Sequence, residues 1–231
     1  MAIVQLKDVH KKYPLGKTEV HAVRGVSFEI MKGDFISIAG PSGSGKSTIL
    51  NMLGCIDVPT DGSVVLNGVE TKDLSDKEIT RLRHQFIGFI FQSFNLVPVL
   101  NVYENIEFPL LLGKEKMSQA EKTQWIDFLI EQVGLTQWRN HRPNELSGGQ
   151  RQRVAIARAL VTKPEVVLAD EPTANLDSAT GEAIIELMKK INREQETTFI
   201  FSTHDTTIVD IADHIIRLHD GQIAQEERRE R

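Results

Sequence analysis

The sequence lacks the features that mark secreted, membrane-spanning or cysteine-rich proteins. Cys55 is the only cysteine among 231 residues, which excludes an intrachain disulfide and a cysteine-rich metal site. No apolar run approaches the ~20 residues that a membrane-spanning helix needs. The first residues, MAIVQLKDVHKKY, lack the charged region and long apolar core of a signal peptide. We therefore expect a protein of the cytosol.

An excess of positive charge is also missing. The formal net charge is −5 at pH 7, whereas binding to a phosphate backbone needs a basic face. Nucleic acid is therefore not expected as the main partner. The composition is that of an ordinary globular protein, with 40% hydrophobic and 26% charged residues. A chain of this length suffices for one large domain, 1–231, with a subdomain inserted in it.

The stretch ISIAGPSGSGKSTIL, residues 36–50, carries the strongest motif. A short apolar run predicts a buried parallel strand, and the residues after the motif predict a helix. Glycines between them let backbone N–H groups approach phosphate oxygens. A glycine-rich turn that binds nothing is the disfavoured alternative, because a lysine and a serine follow in the phosphate-loop pattern. The residues predicted to bind the phosphates of a nucleotide are Gly40, Pro41, Ser42, Gly43, Ser44, Gly45, Lys46, Ser47 and Thr48. Lys46 would reach the β- and γ-phosphates, and Ser47 would ligate Mg²⁺.

Two carboxylates and a histidine follow predicted strands. The run VVLA at 166–169 leads directly into Asp170 and Glu171, and α/β sheets place their sites at the carboxyl ends of such strands. Asp170 is suited to hold Mg²⁺, and Glu171 to polarise a water for attack on the γ-phosphate. His204 follows a strand predicted at 197–202. A lone histidine is more often a packed or surface residue, but at this strand end it can reach a γ-phosphate.

A second anion-binding helix N-terminus is predicted at LSGGQ, residues 146–150. Ser147 is a good N-cap, and Gly148 and Gly149 leave the first backbone N–H groups accessible. One nucleotide does not need two such sites from one chain. A second subunit is therefore suspected.

Residues 93–145 predict a mainly helical insertion, which separates the parts 1–92 and 146–231 of a catalytic core. The segment 95–112 is unusually hydrophobic for a loop and is broken by two prolines, which indicates a docking face. The first strand is predicted over residues 3–9, with Pro14 ending it, and a second strand pair over residues 20–30. Tyr13 is either a platform for a nucleobase or a half-buried tyrosine at a strand end, and the residues alone do not decide between them.

Together, the phosphate loop, the glutamine after the strand 86–91, LSGGQ, VVLADEP and the later histidine resemble the nucleotide-binding subunit of ATP-binding-cassette transporters. The resemblance implies an α/β P-loop NTPase fold: a mixed sheet core, an N-terminal antiparallel β subdomain and an inserted helical subdomain. It also implies a head-to-tail dimer of two copies with two ATP molecules at the interface, each held by one phosphate loop and by the other copy's Ser147, Gly148, Gly149 and Gln150. By the same resemblance Tyr13 stacks on adenine, and Gln92 senses Mg²⁺ and the membrane partner. Asp177 lies in the loop that crosses between subunits, and His204 contacts the γ-phosphate.

Within this family the sequence resembles the macrolide-exporter and lipoprotein-release (MacB/LolD) group. The stretches that carry this resemblance are LGCIDVPTDG, IGFIFQSFNLVPVLNVYENIEFPLLL and LADEPTANLD. It implies a separate membrane permease that docks on residues 93–112, at the cytoplasmic face of the inner membrane. An FtsE-like cell-division ATPase that signals and transports nothing is the alternative. A soluble cassette protein acting on ribosomes or DNA is disfavoured.

Overall fold

The computed structural model describes residues 2–16, 18–113 and 117–229. In chain order the strands are β1 (Ala2–Leu15), β2 (Thr18–Met31), β3 (Phe35–Ala39), β4 (Asp61–Leu66), β5 (Val69–Glu70), β6 (Ile87–Ile90), β7 (Val166–Asp170), β8 (Thr198–Thr203), β9 (His214–His219) and β10 (Gln222–Arg228). The helices are α1 (Lys46–Leu53), α2 (Asp76–Phe86), α3 (Val102–Leu112), α4 (Gln119–Gln132), α5 (Gly148–Leu160), α6 (Ser178–Gln195) and α7 (Thr206–Ile211). Short 3-10 turns lie at Thr136–Trp138 and Pro143–Glu145. None of the helices within these ranges has the length and apolar character needed to span a bilayer.

The larger sheet has six strands in the order β10-β9-β3-β8-β7-β6, and all neighbours are parallel except β10 with β9. Strands β3 and β8 are buried along their whole length, as expected for a sheet covered on both faces. In the register, Ala39 pairs with Thr203 and Asp170 pairs with Ser202. The carboxyl ends of β3, β8 and β7 therefore meet at one edge, and the predicted mixed sheet is confirmed.

The smaller sheet is antiparallel, with strand order β2-β1-β4-β5, and confirms the predicted N-terminal β-rich part. The prediction that Pro14 ends the first strand is wrong, because β1 continues to Leu15. Strand β4 pairs with β1 only as far as His10, so Pro14 pairs with β2 alone. A proline is tolerated where one side of a strand is open. The expected strand pair at 20–30 is likewise a single strand, β2.

The hydrophobic segment 95–112 is not a loop throughout, since α3 begins at Val102 and includes Pro109. Asn101 caps this helix by accepting a hydrogen bond from the Glu104 backbone N–H at 2.9 Å, and the Glu104 carboxylate accepts one from the Asn101 N–H at 2.8 Å. This reciprocal capping box satisfies two backbone donors at the helix start. Helices α3 and α4, which lie between β6 and β7 in the chain, pack against α5 and the core of the large sheet.

Candidate active site

The loop between β3 and α1 is held in its conformation by two glycines and one lysine. Gly43 and Gly45 have φ values of 80° and 100°, which L side chains rarely adopt. The Lys46 side chain is nearly buried, and its Nζ donates hydrogen bonds to the carbonyls of Gly40 and Pro41 at 2.8 and 3.0 Å. The ammonium group therefore lies across the loop, where its charge faces any anion that the loop accepts.

The same loop holds polar groups that suit a phosphate ligand. The Ser44 hydroxyl is buried and has no hydrogen-bond partner among the described residues. A Cβ built on Gly43 would meet no heavy atom within 4 Å, so the loop is open at that residue. Pro41, Ser42 and Ser47 are exposed, and Thr48 is half-buried. With the N-terminus of α1 directly behind it, the loop has the donors and the space of an anion-binding nest.

Ser47 and Asp170 are brought together from the two sides of the site. The Ser47 hydroxyl donates a hydrogen bond to Asp170 Oδ1 at 3.3 Å. Within residues 2–16, 18–113 and 117–229, no cluster of three or more His, Cys, Asp or Glu side chains could hold a metal. Mg²⁺ binds with one or two protein carboxylates and completes its octahedron with water and substrate phosphates. A serine hydroxyl beside one carboxylate, next to a phosphate loop, fits that requirement.

Gln92 lies at the same edge, just past the end of β6. Its backbone carbonyl accepts a hydrogen bond from Asn175 Nδ2 at 2.8 Å. Asn175 belongs to the segment between β7 and α6, which also carries Glu171. Gln92 is therefore tied to the loop that follows Asp170 and Glu171, and β6 and β7 are neighbours in the sheet.

Glu171 and His204 are in direct contact. Glu171 Oε1 lies 2.8 Å from His204 Nδ1, and the Thr203 hydroxyl donates to Glu171 Oε2 at 3.3 Å. The Glu171 backbone N–H donates to the Ser202 carbonyl at 2.9 Å, which fixes the turn after β7. The Glu171 side chain is mostly buried, at 17% exposure, whereas that of His204 is 73% exposed. Sequence reasoning placed both residues at strand ends but missed Thr203, although it directly precedes the histidine at the end of β8.

Tyr13 is half-buried near the end of β1, and its hydroxyl donates to Asp57 Oδ2 at 2.6 Å. Lys11 Nζ forms an ion pair with Asp57 Oδ1 at 2.5 Å and lies 4.9 Å from the centre of the Tyr13 ring. Burial and then the Asp57 carboxylate raise the pKa of Tyr13, against a hydrogen bond with Thr48 that lowers it. Sequence reasoning missed Asp57 and Lys11, because Asp57 is 44 residues from Tyr13 and no spacing rule relates them.

The LSGGQ segment starts α5, with Ser147 as N-cap as predicted. The Ser147 hydroxyl accepts from the Gln150 N–H at 3.3 Å, and Gln150 Oε1 accepts from the Ser147 N–H at 2.8 Å. Ser147 is exposed and Gly149 is partly exposed, so the helix N-terminus is accessible. A Cβ on Gly149 would lie 2.4 Å from Thr180 Cγ2, so α5 begins against the first turn of α6.

Asp177 caps α6. Its carboxylate accepts hydrogen bonds from the Thr180 backbone N–H at 3.0 Å and from the Thr180 hydroxyl at 2.7 Å. Those hydrogen bonds hold the pKa of Asp177 below its usual value. Asp177 therefore has a structural role within its own chain at the same place where a subunit contact is expected.

A family comparison identifies this arrangement. The model of the ABC transporter family matches residues 23–174, more than half of the chain. The chain belongs to the ABC transporter family. With this family's ATPase cassette fold, it is an ATP-hydrolysing, ATP-binding subunit.

Three relatives illustrate the range of similar proteins. The chain is 46% identical over 228 residues to the uncharacterized ABC transporter ATP-binding protein MJ0796 of Methanocaldococcus jannaschii, covering 98% of this chain and 97% of that protein. It is 43% identical over 223 residues to the lipoprotein-releasing system ATP-binding protein LolD 1 of Rhodopseudomonas palustris, covering 96% and 98%. Identity to the macrolide export ATP-binding/permease protein MacB of Bdellovibrio bacteriovorus is 45% over 226 residues, covering 98% of this chain and 34% of that protein.

Solved structures agree with this assignment. A dimeric structure of MJ0796 in a post-hydrolysis state, bound to ADP and Pi, superposes with a TM-score of 0.90 at 46% identity and covers 99% of both chains. A second dimeric structure of MJ0796 gives a TM-score of 0.90 at 45% identity, again over 99% of both chains. The identities to LolD and MacB agree with the resemblance to the MacB/LolD group.

Proposed function

We propose that this ABC ATPase binds MgATP at residues 40–48 and hydrolyses it as one of two identical copies. The pair would drive a separate membrane permease of the MacB/LolD type. One observation carries the proposal: the Ser47–Asp170 hydrogen bond of 3.3 Å and the Glu171–His204 contact of 2.8 Å share one sheet edge. A phosphate-binding loop, a carboxylate suited to Mg²⁺ and a candidate general base are what phosphoryl transfer to water requires.

The phosphate loop would hold the triphosphate through charge and backbone donors. Lys46 would exchange its hydrogen bonds with the loop carbonyls for the β- and γ-phosphate oxygens, and Ser44 would gain an acceptor for its buried hydroxyl. Ser47, Asp170 and Gln92 are the residues proposed to hold Mg²⁺. When bound, the metal ion neutralises charge on the phosphate oxygens.

Glu171 is the proposed general base. A base must lie within hydrogen-bond reach of the water whose proton it accepts, and the mostly buried Glu171 carboxylate lies beside an open site. His204 directs Nδ1 at Glu171 and is otherwise exposed, so the rest of its ring remains available to contact the γ-phosphate. Thr203 would hold the second carboxylate oxygen in place.

The second nucleotide contact is proposed to come from another copy of the chain. The N-terminus of α5, with Ser147, Gly148, Gly149 and Gln150, contacts the start of α6 in its own chain. Its first N–H groups would complete the site of a partner copy, and Asp177 would lie at the crossing between the two. The dimeric structures of the similar MJ0796 cassette, one of them with ADP and Pi, support this arrangement.

The permease is proposed to dock on residues 93–112 of a helical subdomain, 93–145. This subdomain includes residues 114–116, which lie outside the described ranges, and the core would be formed by 1–92 and 146–231. Large apolar side chains are solvent-exposed in this segment: Val99 at 72%, Leu111 at 62% and Leu112 at 70%. Leu111 and Leu112 are adjacent in sequence, and exposed apolar patches mark interaction sites. The names of the LolD and MacB relatives support a membrane partner, which would place the subunit at the cytoplasmic face of the inner membrane.

The decisive experiment uses Glu171→Gln, which removes the base and one negative charge at the proposed interface. We expect this variant to bind ATP, to hydrolyse it at least about 100-fold more slowly than the wild type, and to accumulate as a dimer in size-exclusion chromatography with light scattering. Glu186→Gln makes the same change at an exposed position of α6 and serves as the matched control. A Glu171→Gln variant that stays monomeric at saturating ATP would contradict the shared site.

The permease is tested by pull-down of tagged Glu171→Gln from gently solubilised native membranes with ATP present. Recovery of a permease with few membrane helices and a large extracytoplasmic domain supports the MacB/LolD-type role. Recovery of a partner bound to cell-wall hydrolases would favour the signalling ATPase that transports nothing. Recovery with ribosomes or nucleic acid would overturn the membrane role and leave the ATPase chemistry intact.

A further inference from the structure

The hydroxyl of Tyr13 is fixed by a charged pair behind it, in which Lys11 is buried and Asp57 is partly buried. Asp57 uses both carboxylate oxygens: Oδ2 accepts from the Tyr13 hydroxyl at 2.6 Å, and Oδ1 accepts from Lys11 Nζ at 2.5 Å and from the Val58 N–H at 2.8 Å. Lys11 is only 8% exposed and also donates to the Val58 carbonyl at 2.8 Å. These contacts connect the end of β1 to the segment that follows α1.

Lys11 also determines which face of the Tyr13 ring is free. Its ammonium lies 4.9 Å from the ring centre, within the distance at which a cation is attracted to an aromatic face. A planar ligand can stack only on the opposite face. At the hydroxyl end, the acceptor Asp57 follows α1, and its backbone N–H donates to the carbonyl of Asn51 in that helix at 3.3 Å. The position of the Tyr13 ring is therefore set relative to the helix that starts at the phosphate loop.

We infer that Asp57 is a positioning residue for the base of the nucleotide. Together with Lys11 it holds the Tyr13 ring at a set distance from residues 40–48. A nucleobase can then stack on Tyr13 while its triphosphate binds the loop. This inference rests on the proposed nucleotide site and adds to it residues that touch neither the base nor the phosphates.

The physical reason is the cost of a buried charge. A nearly buried ammonium needs a paired, hydrogen-bonded anion. Although burial acts to raise the pKa of Asp57, hydrogen bonds from Lys11 and Tyr13 hold it below its usual value, so the carboxylate is charged at neutral pH. Removing it leaves Lys11 without its counter-ion and the Tyr13 hydroxyl without an acceptor, and both side chains must move.

The experiment compares the affinity for ATP with that for inorganic tripolyphosphate, which has no base. Stacking of a base on an aromatic side chain contributes about 1–3 kcal/mol, and about 1.4 kcal/mol is a factor of ten. We therefore expect Tyr13→Ala to weaken ATP binding by roughly tenfold and tripolyphosphate binding by less than about twofold. Asp57→Ala should weaken ATP binding by about fivefold, with the larger change in KM than in kcat.

Two comparisons separate positioning from a general structural role. Asp57→Asn keeps an oxygen that can accept a hydrogen bond from the Tyr13 hydroxyl, so this variant should bind ATP more tightly than Asp57→Ala does. In a Tyr13→Ala background, Asp57→Ala should weaken ATP binding by less than about a further twofold, because the ring that Asp57 positions is absent. Asp61→Ala, at an exposed aspartate at the start of β4, is the matched control.

Each outcome is decisive. If Tyr13→Ala weakens ATP binding and Asp57→Ala does not, the inference is wrong and the proposed nucleotide site stands. If Tyr13→Ala leaves ATP binding unaltered, both the base platform and the inference fail. Equal losses for ATP and tripolyphosphate in the Asp57 variants would show a structural role and overturn the inference. If Asp57→Ala does not fold, Asp57→Asn carries the same comparisons.

Discussion

Replacing Gly45 with alanine should destabilise the protein more than the same change at Gly43, although both glycines have positive φ. Their φ values are 100° and 80°. A Cβ on Gly45 would lie 2.5 Å from the Ala22 carbonyl oxygen, whereas a Cβ on Gly43 would meet nothing within 4 Å. The two variants therefore separate backbone strain from steric overlap within one loop.

The magnitudes follow from these two terms. Placing an L residue in the left-handed region costs about 1–2 kcal/mol, which is the whole expected loss for Gly43→Ala. Overpacking against a group that cannot move adds about 1–3 kcal/mol. Ala22 lies in β2 between His21 and Val23, which pair with β1, so its carbonyl is held and the loop must shift instead. Gly45→Ala should thus lose about 2–5 kcal/mol of unfolding free energy, a large part of a typical total of about 5–15 kcal/mol.

Urea unfolding without nucleotide, followed by circular dichroism, measures both losses, and isothermal titration calorimetry measures ATP affinity. Because Lys46 donates to carbonyls of the same loop, a shifted loop should also weaken ATP binding, and Gly45→Ala should show the larger effect. Equal destabilisation by the two variants, or a larger loss at Gly43, would refute the assignment of the excess to the Ala22 contact.

Three further changes test other parts of the structure. Lys46→Ala should weaken ATP affinity by roughly 100-fold in calorimetry, since charge-assisted hydrogen bonds contribute about 1.5–3 kcal/mol each, and wild-type affinity would count against the loop as the site. The Arg158 guanidinium donates to the carbonyls of Phe94 and Asn95, at 2.7 and 2.6 Å, and both residues have positive φ. Arg158→Met should therefore lose about 2–5 kcal/mol in urea unfolding, and a loss under about 1 kcal/mol would contradict this role. Burial lowers the pKa of His214 in the folded protein. Below the ordinary histidine pKa of about 6.5, the unfolded state therefore binds more protons than the folded state, and stability falls as the pH drops through that range. The melting temperature should decline less between pH 7.5 and 5.5 in His214→Gln, and an equal decline would refute the sign.

Much of the candidate site could be predicted because its residues are adjacent in sequence. The phosphate loop and the two carboxylates each follow a short apolar strand, and parallel strands bring their carboxyl ends to one edge. The contact between Glu171 and His204 needed the fold, since 33 residues separate them. The Asp57 anchor of Tyr13 is also long-range. Nothing in composition or periodicity relates Asp57 to Tyr13.

The error at α3 has a local cause. Pro98 and Pro109 read as breaks, and their effect outweighed the capping pattern of Asn101 and Glu104, which is visible in the sequence. Asn105 could not be read in the same way. It is fully buried, and its amide donates to the Leu100 and Asn101 carbonyls, at 2.9 Å each. Side-chain hydrogen bonds to the loop that precedes α3 thus stabilise a helix that local propensity disfavours.

The close approach of Gly149 to Thr180 has a consequence for sequence evolution. With the Thr180 methyl group 2.4 Å from the place of a Cβ on Gly149, a larger residue at 149 needs a smaller one at 180. The two positions should therefore covary among functional sequences. In a library that randomises both, survivors with alanine at 149 should be enriched in serine, alanine or glycine at 180. The correlation between the residues selected at positions 149 and 180 would show, from sequences alone, how closely α5 packs against α6.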